Sequence, residues 1–281
     1  MEAKILDGKA LALKILGDLK KEIASFKKKP TLALVLVGNN PSSKIYIKQK
    51  ILACKKISLN YKFLHFENIS QNDLEKKILE LNQDENIDGI MVQLPLPDNL
   101  DTFQIQQLID PQKDVDGFGP TNLAYVFLGK PKIIPATPKG ILELLDYYNL
   151  NLEGKLATVV GRSNIVGKPL SLLLLQRNAT VICTHSKTKD LARFTKLADF
   201  LFVAVGKPKF ITQDMVKPRA VVVDVGINKT SEGKIVGDVD FENVKKVASF
   251  ITPVPGGVGP LTVASLLSNT IYAYKLRNGL Y

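Results

Sequence analysis

The chain is expected to fold as α/β, in two domains that each carry a parallel sheet, and three observations predict this. Short apolar runs rich in β-branched residues alternate with helix-length segments in the first third of the chain. After Ala136 a second series of such runs recurs at roughly twenty-residue intervals, the alternation that places crossover helices between parallel strands. At 281 residues and 45% hydrophobic composition, the chain is long enough for two cores that need no disulfide or metal to hold them.

In the first half, Asp7 opens a helix whose apolar positions Leu16, Leu19, Ile23 and Phe26 recur at three and four residues, ending near Lys29 and Pro30. The run from Leu32 to Val37 reads as a buried strand closed by Gly38, Asn39, Asn40 and Pro41. A helix capped by Ser42 or Ser43 follows, running through Ile45, Ile47, Ile51 and Leu52. Residues 59–66 form a second strand, Ser70 and Asp73 a capping box that opens a helix to about Asn82, and residues 87–94 a third strand. Pro95-Leu96-Pro97 cannot continue a ladder, so the chain turns there over the carboxyl end of the sheet. Residues 110–120, DPQKDVDGFGP, have no periodic pattern and read as a loop.

The second half starts at Thr137, which caps a helix with Pro138 in its first turn and Ile141, Leu142, Leu144 and Leu145 on its apolar side. Strands are predicted at 156–160, 180–184, 200–205 and 220–225, with a weaker one at 249–254. A last apolar helix runs from Leu261 to about Arg277 and is placed to pack back on the first domain. The predicted domains are therefore residues 1–136 plus 261–281, and residues 137–260.

No apolar run approaches the ~20 residues of a membrane span, and the N-terminus MEAKILDGKA lacks the apolar core of a signal peptide. The two cysteines, Cys54 and Cys183, stand in no metal-ligand spacing, so no metal is expected and a reduced cytoplasmic compartment is the default. The formal charge of +11 raises nucleic acid as a partner, yet the lysines are spread along helix faces without a helix-turn-helix, a zinc knuckle or an aromatic-basic signature. A basic surface that attracts anionic substrates accounts for the same charge, and no nucleic acid or membrane partner is expected.

Four places carry candidate chemistry. Tyr46 and Lys50 lie four apart on a helix that starts past the carboxyl end of a strand, the edge where α/β sheets place their sites. A phenol can hold a ring there while the amine moves a proton, although the same spacing also describes ordinary helical neighbours with the lysine in water. Gln93 ends an apolar strand, where its amide must bond either backbone or a functional partner. Asp116, before Gly117, is either a turn residue or a buried carboxylate for the paired N–H donors of a heterocycle.

The fourth place is VVGRSNIVGKP, from Val159 to Pro169, which joins a strand to a helix N-terminus through a glycine-bearing turn, the parts that bring N–H groups to a phosphate. Serine stands where G-x-G-x-x-G has its second glycine, and Gly167 comes one residue late. About twenty residues on, where an NAD site usually carries an acid, the chain reads Cys183-Thr184-His185-Ser186-Lys187-Thr188. Arg162, Ser186 and Lys187 suit a 2′-phosphate, so NADP is the expected cofactor, with His185 read as a structural residue.

Together these segments resemble the bacterial methylenetetrahydrofolate dehydrogenase/methenyltetrahydrofolate cyclohydrolase enzymes of the FolD type over essentially the whole chain. The resemblance is carried by SSKIYIKQK, DGIMVQLPLP, PQKDVDGF, PATPKGILELL, VVGRSNIVGKPLSLLL, THSKT, VVDVGIN, GDVDF and TPVPGGVGPLTVA, in that order. It implies an N-terminal catalytic domain and a C-terminal Rossmann-like NAD(P)-binding domain. It further implies oxidation of 5,10-methylenetetrahydrofolate with NADP, then hydrolysis to 10-formyltetrahydrofolate, by a homodimer acting on tetrahydrofolate derivatives. By the same resemblance Lys50 is the acid/base, Tyr46 orients the folate, Gln93 bonds Lys50 and Asp116 anchors the pterin. Val92, Leu94, Pro255, Gly256, Gly257, Val258 and Gly259 shape the substrate pocket, and Gly161, Arg162, Ser163, Ser186 and Ile227 contact NADP.

A base role requires the lysine pKa to fall ~2–3 units, about 3–4 kcal/mol, which burial and a cationic substrate both favour. Gly119 and Ala136 depart from the family pattern, where many relatives carry His and Cys, and put loop contacts in doubt more than activity. An NADP dehydrogenase acting on a shikimate-like acid is the alternative reading of the same architecture, though it has no use for PGGVG and DVDG together.

Overall fold

The computed structural model describes residues 2–230 and 232–280. In chain order the first elements are β1 (Lys4–Ile5), α1 (Gly8–Ala24), β2 (Thr31–Val37), α2 (Pro41–Ile57), β3 (Asn60–Phe66), α3 (Gln71–Gln83), β4 (Gly89–Val92), α4 (Thr102–Leu108) and α5 (Pro120–Phe127). There follow α6 (Ala136–Tyr147), β5 (Leu156–Val160), α7 (Gly167–Gln176), β6 (Thr180–Thr184), α8 (Leu191–Thr195), β7 (Phe200–Val203) and a 3-10 turn (Gln213–Met215). The last elements are β8 (Val221–Asp224), β9 (Asn228–Lys229), β10 (Ile235–Val236), α9 (Phe241–Val244), β11 (Phe250–Ile251) and α10 (Val258–Arg277).

The chain divides into two compact units. One holds Leu13–Ala136 with the residues from Val263 onward, the other the residues up to Ala12 with Thr137–Thr262. The first is built on a three-stranded parallel sheet in the order β3-β2-β4. β2 and β4 are buried along nearly all their lengths, as expected of parallel strands covered on both faces. Leu74, Ile78 and Leu81 from α3, with Ile105 from α4, pack on Ala33, Val35, Ile90 and Val92 of the sheet. α10 adds Leu266, Leu267, Ile271 and Ala273, all buried, which fits a helix apolar on nearly every side.

The second unit holds a six-stranded parallel sheet in the order β1-β11-β8-β7-β5-β6, with a small antiparallel pair β9–β10 beside it. Its core joins Val160, Leu201, Val203, Val222 and Ile251 to Ile211, Val239 and Val244. The order places β6 on one side of β5 and β7 on the other, so the strand order reverses there, which is the switch point at which such sheets leave a crevice at their carboxyl ends.

Several elements differ from expectation, each for a local reason. Residues up to Ala12 belong with the six-stranded unit, because Lys4 and Ile5 pair in parallel with Phe250 and Ile251 and supply the edge strand. α1 stops at Ala24, short of Pro30. α2 is capped by Asn40 rather than Ser42 or Ser43: its side-chain oxygen accepts from both serine amides at 2.9 and 3.1 Å, and Pro41 fills the first turn. Thr137 lies inside α6, where its hydroxyl meets that of Thr262 at 2.9 Å. α10 starts at Val258, so the PGGVG segment enters its first turn. The capping box of α3 forms as expected, with the Ser70 hydroxyl accepting from the Asp73 amide at 3.2 Å.

No helix among the described residues is long and apolar enough to cross a membrane.

Candidate active site and dinucleotide cradle

The three-stranded sheet also has a switch point, between β2 and its neighbours β3 and β4, and α2 leaves from the carboxyl end of β2. Helical spacing sets Ser43, Tyr46 and Lys50 along one side of α2. Lys50 is 8% exposed, and its Nζ donates to Gln93 Oε1 at 3.0 Å and lies 3.6 Å from Met91 Sδ. Gln93 follows β4, and its Nε2 donates to the Leu94 carbonyl at 2.7 Å. The glutamine thus meets both alternatives left by the sequence, a backbone partner on one side and the lysine on the other. Val92 is buried and Leu94 half-buried beside it, before a cis bond to Pro95.

The loop between α4 and α5 separates Asp114 and Asp116 by role. Asp114 is the anchor: its oxygens accept from the amides of Gly117, Phe118 and Gly119 at 3.1, 3.3 and 2.8 Å and from Asn122 Nδ2 at 2.9 Å. Lys113, 2% exposed, donates to the carbonyls of Leu81, Asn82 and Asp84 at the end of α3. Asn269 of α10 holds the Val115 and Ile134 carbonyls at 2.9 and 2.8 Å. Gly117 sits at φ 71°, and a Cβ there would stand 2.8 Å from Pro135 N, so the turn requires glycine. With all of this fixed, the carboxylate of Asp116 is 9% exposed and accepts no hydrogen bond among the described residues.

Burial governs the electrostatics. It lowers the Lys50 pKa, while the negative charge of Asp116 works in the opposite direction. It pushes the Asp116 carboxyl up to about 6, against the attraction of Lys50. Tyr46 is half-buried, which raises its phenol, and the Ser43 hydroxyl is buried with no partner among the described residues. A neutralisable amine, a carboxylate without donors, a phenol and an unbonded hydroxyl can hold a polar heterocycle and move protons on it. Ser43 and Met91 are the members that sequence reasoning missed. The i, i+3, i+7 spacing to Tyr46 and Lys50 carries the signal for Ser43, although a serine so near a helix start reads equally as a cap.

Burial also pushes the Cys54 thiol up to about 12, whereas Cys183 is exposed. Thiol-directed labelling of the native protein at pH 8 should therefore modify Cys183 and spare Cys54, read by peptide mass spectrometry. Equal labelling of both would contradict the packing of α2.

In the six-stranded unit, Gly161 follows β5 at φ 128°, and a Cβ on it would lie 2.3 Å from the Ala204 carbonyl oxygen. Only glycine lets the turn after β5 pass so close to the strand end of β7. Ser163 closes the turn: its hydroxyl accepts from the amides of Val166 and Gly167 at 3.2 and 3.3 Å, ahead of α7. Arg162 and Ser186 are exposed, and their side chains bond nothing among the described residues. His185 Nδ1 accepts from the Lys187 amide at 3.2 Å, the structural role expected of it. Ile227 is 41% exposed on the loop after β8. Pro255, Gly256, Gly257, Val258 and Gly259 belong to this unit, in the connection from β11 into α10. The donor set of Arg162, Ser186 and Lys187, with no carboxylate among them, fits a dinucleotide that carries an extra phosphate.

Among the described residues no cluster of His, Cys, Asp and Glu is placed to hold a metal ion.

Comparison with known proteins gives two family matches. Residues 6–116 match the catalytic domain of tetrahydrofolate dehydrogenase/cyclohydrolase, and residues 135–278 match its NAD(P)-binding domain. The bifunctional protein FolD of Thermodesulfovibrio yellowstonii is 54% identical over 281 residues, 99% of this chain and 98% of the relative. The crystal structure of the bifunctional FolD dehydrogenase/cyclohydrolase from Campylobacter jejuni superposes with a TM-score of 0.95 at 48% identity, covering 98% of this chain and 99% of that one. The Trypanosoma brucei dehydrogenase-cyclohydrolase, solved with NADP and an inhibitor, gives a TM-score of 0.95 at 34% identity, with 99% of each chain covered.

Proposed function

This chain belongs to the tetrahydrofolate dehydrogenase/cyclohydrolase family, and from that membership we propose that Lys50 is the acid–base of the reaction it carries out. It oxidises 5,10-methylenetetrahydrofolate to 5,10-methenyltetrahydrofolate with NADP and hydrolyses the product to 10-formyltetrahydrofolate, a step of one-carbon metabolism. The observation that carries the assignment of Lys50 is a buried amine, 3.0 Å from a glutamine oxygen and under the field of a buried carboxylate.

In the oxidation, NADP when bound accepts the hydride from the methylene carbon. What the chain supplies is orientation, since no proton has to move for a hydride to leave. In our reading Tyr46 packs on the folate ring system, Asp116 accepts from its paired N–H donors, Val92 and Leu94 flank the ring, and Pro255–Gly259 are further substrate residues. Two supports for the Asp116 role are its burial and its lack of hydrogen-bond donors among the described residues. Gly161, Arg162, Ser163, Ser186 and Ile227 hold the cofactor. Ser163 does so indirectly, since its hydroxyl already serves the turn.

In the hydrolysis, water adds to the methenyl carbon and gives its proton to neutral Lys50. The ammonium so formed returns that proton to N5 as the C–N5 bond breaks, and the remaining hydroxyl proton passes to solvent as the C=O of the N10 formyl group forms. Gln93 Oε1 keeps the Nζ aimed through both transfers. Burial and the positive charge of the methenyl substrate both favour the neutral amine needed at the start.

The decisive experiment mixes methylenetetrahydrofolate with the protein and either NADP or NAD, following methenyl absorbance. Rise and decay with NADP, and a slower rise with NAD, are expected. No methenyl signal with either cofactor would overturn the reading.

We also propose that the enzyme is a cytoplasmic homodimer that binds no nucleic acid. The edge strand β3 pairs only with β2 among the described residues and exposes Phe63, which supports an association surface. Sedimentation should give twice 30.9 kDa.

A further inference from the structure

Two buried carboxylates of the six-stranded unit take no part in the chemistry above. Asp224 ends β8 and Asp238 follows β10, 3% and 0% exposed. Asp238 accepts four hydrogen bonds: Oδ2 from the amides of Val205 and Gly206 at 2.6 and 2.9 Å, Oδ1 from the Lys207 amide at 2.9 Å and from Asn228 Nδ2 at 2.8 Å. Asp224 accepts from the amides of Gly226, Asp238 and Val239 at 2.9, 3.0 and 2.8 Å. The donors are backbone amides and one carboxamide, not cations. Burying two like charges together is costly, and a network of this kind endures only when it is fully bonded, which in turn gives its loops one arrangement. The packing leaves no slack: a Cβ on Gly226 would stand 2.1 Å from Asp238 Cγ.

The loops so held are particular ones. Residues 205–207 continue from β7 at the switch point, directly after Ala204, whose carbonyl Gly161 approaches. Ile227 lies between Gly226, bonded to Asp224, and Asn228, bonded to Asp238. We propose that Asp238 is a positioning residue for the dinucleotide: one carboxylate ties the loop after β7 to the loop after β8 and so sets the shape of the cofactor cradle. The proposal rests on the reading that Arg162, Ser186 and Ile227 contact NADP.

An Asp238→Asn variant tests it, because either orientation of the amide turns an NH2 group toward N–H donors. The KM for NADP should rise about tenfold or more, the scale of losing a hydrogen bond to a charged group. Hydrolysis of added methenyltetrahydrofolate, which uses no cofactor, should stay within about twofold. Asn228→Ala removes the carboxamide tie to Asp238, with a longer bond of 3.4 Å to the Val236 carbonyl, and should move the NADP KM the same way by a smaller factor, and it decides the matter if Asp238→Asn does not fold. Arg162→Ala serves as the control for the cofactor reading. A raised NADP KM in Arg162→Ala, with both loop variants unchanged, would overturn the positioning role alone. An unchanged KM in Arg162→Ala would overturn the cofactor reading itself. Equal loss of both activities in Asn228→Ala would mark the network as merely structural and also overturn the proposal.

Discussion

Replacing Lys50 by methionine should suppress hydrolysis of methenyltetrahydrofolate by ~10²–10⁴-fold, the span that a positioned general base contributes, and leave NADP affinity unchanged. Methionine keeps much of the volume of the stem, so Ile47 and Cys54, both buried on the same helix, retain a neighbour to pack on. The fold has two opposing reasons to notice the change. The buried amine no longer costs desolvation, but Gln93 Oε1 loses its donor, an omission worth about 1–3 kcal/mol when the group stays dry. These effects partly cancel, so the thermal midpoint should move by only a few degrees while the hydrolytic rate collapses. Single-turnover decay of methenyl absorbance separates the two, and undiminished hydrolysis in the variant would remove Lys50 from the mechanism.

Asp116→Asn should raise the KM for the folate substrate by about 10–100-fold, the range for losing a charge-assisted hydrogen bond. Its second effect is on pH dependence and has a definite sign. The carboxylate raises the pKa of Lys50. Without that charge the amine is neutral at lower pH, so the rising acidic limb of the hydrolysis profile should move to lower pH.

The same substitution should affect stability in the opposite sense to function. The Asp116 carboxyl is raised to about 6 in the folded chain, above its ordinary value near ~3.9, so its contribution to stability is full below the lower value and lost as pH rises through the upper one. An amide cannot ionise, so Asp116→Asn should escape that loss and melt higher relative to the parent at pH 8 than at pH 4. A melting profile against pH identical to the parent's would show that burial does not raise the Asp116 carboxyl.

Much of the architecture was legible in the sequence because it rests on local periodicity. The runs that became β2, β3, β4, β5, β6, β7 and β8 are β-rich and close to fully apolar or alternating, and α2 and α3 carry cap signals, with a proline in the first turn of α2. Tyr46 and Lys50 were legible because a helix fixes the side on which residues four apart project, and the Gly161 turn because only glycine tolerates the backbone it needs. The short helices α4 and α5 were not, since seven or eight residues give periodicity too little length to register.

What remained hidden depends on residues far apart in the chain. Nothing local in MEAKIL says that Lys4 and Ile5 will pair with Phe250 and Ile251, because a strand of two residues acquires its partner only when the sheet edge is already built. Two aspartates two positions apart, in DVD and again in GDVD, look alike as sequence. Only the fold makes Asp114 the anchor of a loop and leaves Asp116 without donors among the described residues, or surrounds Asp238 with the amides of a loop 32 and 33 residues earlier. Sequence by itself determined which groups with useful chemistry stand at the carboxyl ends of strands. Tertiary structure alone decided which of them are dry and which are already bonded. Desolvation and hydrogen-bond satisfaction are set by every neighbour at once, and those two quantities turn an ordinary lysine and an ordinary aspartate into a site.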